Sequence, residues 1–232
     1  MRRRGRIHVR VRGGHRELRV DGTLASRYEP GQVATGSVWD AIAAPLLALP
    51  AQRRRSVLIL GLGGGSVARL IRALAPDAHI VGVEFDAGVV RAARRHFGLD
   101  RLGVEVVIGD ALGVLARERR RFDAVIEDVF VGVTQRLRKP DGFPEPGLPL
   151  AWRRVRPGGV LISNTIHEGA QVARVLRRLD APAVVAVHVA DYHNRILAAG
   201  PLSLRAPHLR KCLAASQIFD TALPSLTLRT IL

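Results

Sequence analysis

This chain of 232 residues has few of the residues and segments that mark special classes of protein. Cys212 is its one cysteine, which excludes an internal disulfide and a zinc cluster built from cysteines. No uninterrupted apolar run approaches the ~18–20 residues that cross a bilayer. No apolar segment follows the basic N-terminus either. We therefore predict no signal peptide, no membrane partner and a cytoplasmic location.

Aromatic residues and lysines are scarce as well. Only 4% of the residues are aromatic, which leaves few side chains for stacking on nucleic-acid bases. The net charge of +16 comes almost wholly from arginine, because Lys139 and Lys211 are the only lysines. Such a charge is typical of nucleic-acid-binding proteins, but the arginines are spread along the chain, as a G+C-rich genome would spread them. We favour this compositional origin and keep a non-catalytic nucleic-acid-binding protein as an alternative.

The N-terminal region predicts a small β-element followed by a helix. Two alternating stretches, "RIHVRV" and "ELRVDG", flank Gly13 and Gly14, a pattern that predicts a β-hairpin. "TLASRYEPG" adds a third short strand, and "VWDAIAAPLLAL" predicts a helix that ends near Pro50. We therefore divide the chain into an N-terminal region, residues 1–50, and a main domain, residues 51–232.

From Ser56 onwards, apolar strands alternate with amphipathic helices. Five such strands, buried on both faces, predict a parallel sheet covered by helices. Two further strands are joined by the short turn "DYHN", so they must pair antiparallel. We therefore predict an α/β fold with a Rossmann-like sheet of seven strands, five of them parallel and two forming a terminal antiparallel hairpin. This arrangement resembles the S-adenosylmethionine-dependent methyltransferase-like fold.

The stretch "SVLILGLGGGSVARL" runs from a strand through a glycine-rich turn into a helix, which is typical of nucleotide-binding sites. A triphosphate loop would need a lysine at the head of the helix, and none is there. A dinucleotide fingerprint would place its third glycine where Ser66 stands. The glycines fall instead at Gly61, Gly63 and Gly65, where they allow a close approach of backbone to ligand.

Three carboxylates end successive strands of the predicted sheet. Glu84 follows the second strand, Asp110 the third and Asp128 the fourth, so all three lie on the edge where open α/β sheets bind ligands. A single acid in such a place is often a helix cap. Three of them after a glycine-rich turn indicate an adenosyl compound as the ligand. No cluster has metal-ligand spacing, so we predict no metal.

Several segments resemble motifs of the polyamine aminopropyltransferases, the spermidine synthase family, over roughly residues 7–165. These segments are "LRVDGTLAS", "VLILGLGGGSVAR", "VGVEFDAGVVRAARRHF", "VEVVIGDA" and "FDAVIED". The resemblance implies that Glu84 binds the ribose, that Asp110 and Ala111 adjoin the adenine, and that Asp128 is the catalytic aspartate. In such enzymes this aspartate positions and deprotonates the amine that attacks the carbon next to a sulfonium.

The resemblance fails at the positions that hold the polyamine. The family's second aspartate after the fourth strand is replaced by Val131 and Gly132, and Gly64 replaces the aspartate of the glycine loop. The family's Tyr-His-Glu corresponds to Val38, Trp39 and Asp40. Nucleoside-binding residues are therefore kept better than acceptor-binding residues.

Two transferase hypotheses follow. In the first, Asp40, Glu127 and Asp128 form an acidic mouth for a small amine acceptor, and decarboxylated S-adenosylmethionine is the donor. In the second, S-adenosylmethionine itself methylates a small molecule. An arginine near the donor, such as Arg69, would favour the second, because it would bind the methionine carboxylate. The sequence leaves open the acceptor and whether the chain forms a homodimer.

Overall fold

The alternating N-terminal stretches form a small antiparallel sheet. The structure, a computed structural model, describes residues 5–220 and 222–232, so residues 1–4 of the predicted N-terminal region lie outside it. The strands are β1 (Ile7–Arg12), β2 (His15–Val20) and β3 (Thr23–Tyr28), in the order β1-β2-β3. Gly13 and Gly14 form the β1–β2 turn with positive φ angles. The predicted hairpin and third strand are therefore confirmed.

The main sheet has eight strands in the order β11-β9-β10-β8-β7-β4-β5-β6. They are β4 (Ser56–Leu60), β5 (His79–Glu84), β6 (Val104–Ile108), β7 (Phe122–Glu127), β8 (Val155–Thr165), β9 (Ala183–Val189), β10 (Arg195–Gly200) and β11 (Leu226–Thr230). Strands β4 to β8 are parallel, and β10 runs antiparallel to both β8 and β9. This confirms the predicted fold class and terminal hairpin.

One strand of the main sheet was not predicted. β11 pairs antiparallel with the outer edge of β9 and makes the sheet eight-stranded instead of seven-stranded. Its residues alternate between buried and exposed, as expected of a strand with one covered face. It is only five residues long and follows an irregular segment, so its period-2 signal is short.

Helices cover both faces of the main sheet, as the amphipathic spacing predicts. They are α1 (Val38–Ala43), α2 (Ser66–Leu74), α3 (Ala87–Phe97), α4 (Ala111–Arg117), α5 (Gly147–Trp152), α6 (Gly169–Arg177) and α7 (Ala206–Ala214). Residues of α1, α2, α3 and α7 enter one apolar core, and residues of α4, α5 and α6 enter the other. Among the described residues, no helix has the length and apolarity needed to span a membrane.

The N-terminal sheet lies against α3 and the start of α2. Leu18 of β2 packs against Val89 and Phe97 of α3 in a third, small apolar cluster. β3 is fastened to α2 because the Arg27 amide donates to Ser66 Oγ (3.0 Å) and that hydroxyl donates to the Arg27 carbonyl (2.8 Å). These contacts hold β3 beside the glycine-rich turn between β4 and α2.

Candidate functional site

The three spaced glycines all have the left-handed backbone that only glycine adopts without strain. Their φ angles are +90° at Gly61, +54° at Gly63 and +89° at Gly65. At Gly61 a Cβ would lie 2.4 Å from the carbonyl oxygen of Asp128. The turn therefore lies in contact with the end of β7, where the predicted catalytic aspartate is located.

Two backbone amides of this turn already have side-chain acceptors. The Gly63 amide donates to Glu84 Oε2 (2.9 Å), and the Gly64 amide donates to Ser26 Oγ (2.6 Å). At Gly64 a Cβ would lie 2.7 Å from the Cβ of Ser26. The close approach of β3 thus explains why the family's aspartate is replaced by glycine at this position.

Glu84 ends β5 and spans the site from the glycine turn to α3. Besides the Gly63 amide, the carboxylate accepts the Asp86 amide at Oε1 (3.0 Å). Burial raises its pKa, and the backbone donors partly offset that effect. A carboxylate has about four lone-pair sites, so Glu84 keeps room for a further donor such as a ribose hydroxyl.

Asp110 and Ala111 lie at the start of α4, beyond the end of β6. Asp110 is the N-cap of this helix and accepts the Gly113 amide at Oδ2 (3.0 Å). Its side chain is exposed, whereas Ala111 is buried in the core beneath it. Asp110 therefore caps a helix, and its exposed carboxylate remains accessible to a ligand at this edge of the sheet.

Asp128 follows β7 and is held by Asn164, which is in turn held by Asn194. Asn164, near the end of β8, donates from Nδ2 to Asp128 Oδ1 (2.8 Å). Asn194, at the turn before β10, donates from Nδ2 to Asn164 Oδ1 (2.9 Å). The second contact fixes the amide of Asn164 so that its NH₂ group faces the carboxylate.

Burial raises the pKa of Asp128 to about 7. The Asn164 hydrogen bond and the charge of Lys139 lower the pKa, while the charges of Glu127 and Glu84 raise it. The glycine turn links the two carboxylates, because Gly61 lies against the Asp128 carbonyl and the Gly63 amide donates to Glu84. An aspartate with this pKa changes protonation near neutral pH, which suits a group that accepts a proton.

Glu127 lies beneath the site and has its charge neutralised. Its side chain is fully buried and forms an ion pair with Lys139, which is also buried. Ser163 donates to Glu127 Oε2 (2.5 Å), and the Val129 amide donates to Oε1 (3.1 Å). With these partners Glu127 orders the segment after β7 and offers little charge to an acceptor.

Asp40 likewise has both oxygens engaged within its own segment. It is 1% exposed and accepts the amide and hydroxyl of Thr35 at Oδ1, both at 2.8 Å, and the Gly36 amide at Oδ2, also at 2.8 Å. This is a capping interaction at the start of α1, and burial raises the pKa of Asp40. No contact that the structure describes joins Asp40 to Asp128.

The structure therefore brings together the glycine turn, Glu84 and Asp128, while Asp40 and Glu127 are engaged elsewhere. Asn164, Asn194 and Lys139 also contribute to the site, although they were not among the predicted site residues. The run "SNT" at the end of apolar β8 could have indicated Asn164, since polar residues at that edge face ligands. Within the described parts of the chain, no group of three or more His, Cys, Asp and Glu side chains is arranged to hold a metal ion.

Comparison with known proteins links the chain to two kinds of transferase. A family model described as a methyltransferase domain matches residues 57–159. A probable polyamine aminopropyl transferase of Bifidobacterium longum is 29% identical over 133 residues, 56% of this chain and 28% of that protein. A polyamine aminopropyltransferase of Chromobacterium violaceum is 33% identical over 114 residues, 47% of this chain and 42% of that protein.

A third relative has a methyltransferase name. The eEF1A lysine and N-terminal methyltransferase homolog of Drosophila melanogaster is 38% identical over 79 residues, 32% of this chain and 12% of that protein. The chain thus matches less than half the length of each of these curated relatives.

Two solved structures share the fold over most of the chain. A probable spermidine synthase from Corynebacterium glutamicum superposes with a TM-score of 0.74 and 19% identity, over 96% of this chain and 86% of that one. Human methyltransferase-like protein 13, solved in complex with SAH, has a TM-score of 0.62 and 23% identity, over 81% and 92%. These superpositions confirm the methyltransferase-like fold, and with the sequence relatives they confirm the resemblance to spermidine synthase-like proteins.

Proposed function

We propose, on the premise that this is a spermidine synthase-like chain with the methyltransferase-like fold, that it transfers an aminopropyl group from an adenosyl sulfonium donor to an amine. In this reaction the lone pair of the amine attacks the carbon bonded to the sulfonium sulfur. The carbon–sulfur bond breaks, its electron pair stays on sulfur as a neutral thioether, and the amine loses one proton. That proton needs an acceptor at the reacting nitrogen.

The observation that carries this proposal is the half-buried Asp128, held by Asn164 and with its pKa raised to about 7. A protonated amine is not a nucleophile, so a base beside it is required. When ionised, Asp128 attracts the cationic amine and then accepts its proton. Asn164 and Asn194 act as positioning residues, because they fix which oxygen remains open to the acceptor.

The surroundings of the site favour the decarboxylated donor. A methionine carboxylate would need a cation or free amides beside the glycine turn, but Gly63 and Gly64 donate to Glu84 and Ser26. Lys139, the cation that acts on Asp128, is paired with Glu127. Arg69, the arginine that would favour S-adenosylmethionine, is engaged as well. Its guanidinium lies 4.1 Å from the ring centroid of Tyr28 and donates to the Phe97 carbonyl.

Methyl transfer to an amine is the second candidate function. The relative from Drosophila melanogaster is named as a lysine and N-terminal methyltransferase homolog, which also indicates amine acceptors. In both reactions the amine attacks a carbon bonded to the sulfonium sulfur and needs a base beside it. Asp128 would therefore have the same role in both. The two candidates therefore differ in the donor and share the chemistry at the acceptor nitrogen.

Calorimetric titration with S-adenosylmethionine, its decarboxylated form and methylthioadenosine, side by side, tests the proposal. We expect the decarboxylated donor to bind most tightly, and mass spectrometry of a panel of amines to show aminopropylated products. Tighter binding of S-adenosylmethionine with methylated products would establish the second candidate instead. If none of the three binds to wild-type protein that melts cooperatively, both candidates are wrong.

A further inference from the structure

Three arginine-rich segments that are far apart in the sequence meet at one edge of the main sheet. Residues 53–55 precede β4, residues 119–121 precede β7, and residues 153–156 lie at the start of β8. These three strands are parallel and adjacent, in the order β8-β7-β4. Their starts therefore lie at the edge opposite Glu84 and Asp128. We call the surface formed by the three segments the basic edge.

The three segments are joined through Phe122, Asp123 and Pro157, the residues that directly follow two of them. The Arg55 amide donates to Asp123 Oδ2 (3.0 Å), and Arg156 Nη1 approaches the same oxygen at 3.3 Å. The Phe122 amide donates to the Arg154 carbonyl (2.7 Å). Arg53 Nη2 donates to the carbonyl of Pro157. The basic edge is thus one continuous surface.

Few carboxylates offset the nine arginines of the basic edge. Asp123 is paired with Arg156, while Glu105 and Glu118 share Arg120, and His79 also contacts Glu105. Among the described residues, five exposed arginines of this surface have no carboxylate partner. They are Arg53, Arg55, Arg119, Arg121 and Arg153.

We propose that the basic edge binds the phosphate backbone of double-stranded nucleic acid. The planar guanidinium matches phosphate geometry and forms bidentate contacts. The exposed large apolar side chains that the structure describes all lie outside these three segments. A protein partner would need an apolar interface core depleted of charge, and a single strand would need exposed rings for stacking. Of the rings beside these arginines, Phe122 is buried and Trp152 is half-buried.

Binding of a short labelled DNA duplex, followed by fluorescence anisotropy over a range of salt concentrations, tests the proposal. The test variant changes the five exposed arginines to glutamine. The matched control changes five other exposed arginines, Arg10, Arg12, Arg91, Arg95 and Arg101, and has the same net charge. We expect the test variant to lose at least tenfold in affinity, and the control to lose much less. The plot of the logarithm of the duplex association constant against the logarithm of salt concentration should become less steep by about 4–5, since each phosphate contact contributes about 0.9 to its slope.

Equal losses in the test variant and the control would overturn the proposal, because binding would then follow net charge alone. Tighter binding of an acidic polypeptide than of the duplex would overturn it in favour of a protein partner. Hydrogen exchange of the wild-type chain gives a second measurement that needs no variant. Duplex should slow exchange further in residues 53–55, 119–121 and 153–156, and protection elsewhere without these segments would contradict the proposal. Added adenosyl donor should leave duplex binding unchanged, which separates this test from that of the proposed function.

Discussion

Asp128 meets two opposing requirements at one carboxyl group. Burial among protein groups raises its pKa to about 7, which makes it a useful base. The same burial makes its ionised form costly, so the fold tolerates the charge only with the help of Asn164 and Lys139. The catalytic role that we propose for Asp128 and the stability of the fold therefore make opposite demands on this residue.

Replacement of Asp128 by asparagine separates binding from turnover. The amide keeps the size of the side chain but neither attracts a cationic amine nor accepts its proton. We expect Asp128→Asn to lower kcat by roughly 10²–10⁴-fold and to leave the affinity for methylthioadenosine nearly unchanged. In the wild type, kcat should rise with pH through about 7, as Asp128 ionises. A flat pH profile, or full turnover by the variant, would contradict the role of the base.

The same variant should be more stable than the wild type at high pH. In the folded chain the pKa of Asp128 is raised above its unfolded value, so its stabilising contribution is present at low pH and is lost as pH rises towards about 7. Asparagine does not titrate. The free energy of unfolding of Asp128→Asn relative to wild type should therefore increase between pH 4 and pH 8 by roughly 4 kcal/mol. Urea unfolding at both pH values measures it, with the exposed Asp141→Asn as the control.

Glu84 is expected to serve the ligand and the glycine turn together. Glu84→Ala removes a charged acceptor for the ribose, so the affinity for methylthioadenosine should fall roughly ten- to a hundredfold. It also leaves the Gly63 and Asp86 amides without their acceptor, so the melting temperature should fall as well. Calorimetry and a thermal melt measure the two effects. Unchanged affinity would exclude the ribose role.

At the scale of secondary structure, the contact between β3 and the glycine turn distinguishes this chain from the motif it resembles. Gly64 stands where the family has an aspartate, and Ser26 occupies the adjoining space. The N-terminal sheet therefore covers the turn more closely than a side chain at position 64 would allow. The sequence of the turn alone shows that an acidic residue is missing. The structure shows that β3 lies in the space beside this position.

A double substitution tests this contact. Gly64→Ala places a methyl group 2.7 Å from the Cβ of Ser26, so we expect it to cost about 1–3 kcal/mol of stability. Combined with Ser26→Gly, the cost should be smaller than the sum of the two single changes. Gly113→Ala on α4 is the matched control, since its Cβ would meet nothing closer than 3.7 Å. Additive costs would show that β3 does not press on the turn.

Local pattern and chain topology differ in how well the sequence predicts them. The spacing of Gly61, Gly63 and Gly65 and the acids at strand ends are local features, and the structure has them where the pattern puts them. Glu127 is different, because the fold brings its partner Lys139 to it, whereas the partners of Asp40 lie within its own segment. The sequence does not show whether the charge of a carboxylate is already paired.

On the scale of the whole molecule, the net charge of +16 acts against the compact state through self-repulsion. The basic edge concentrates part of that charge where strands from three parts of the chain meet, and the sequence shows the runs but not their adjacency. The order of the strands in a sheet depends on contacts between distant parts of the chain. The adjacency of the three arginine runs could therefore not be predicted from their spacing in the sequence.

Added salt should therefore stabilise this protein. Screening weakens repulsion between exposed charges, with a Debye length of about 10 Å at 0.1 M. We expect the melting temperature to rise from low salt to 0.1 M or more of sodium chloride, and to rise less in the five-glutamine variant of the basic edge. A neutral osmolyte is the control for effects that do not depend on charge. A melting temperature that falls with salt would show that favourable ion pairs outweigh the repulsion.

β11 has a consequence for the newborn chain. β9 is an apolar strand without proline, "AVVAVHV", and its outer edge is covered by β11, which follows it in the sequence. During translation β9 leaves the ribosome first, so its outer edge is open while the intervening residues are being made. An open, apolar strand edge recruits strands from other chains. The interval between synthesis of β9 and arrival of β11 is thus the period in which chaperones are most needed to keep neighbouring chains apart.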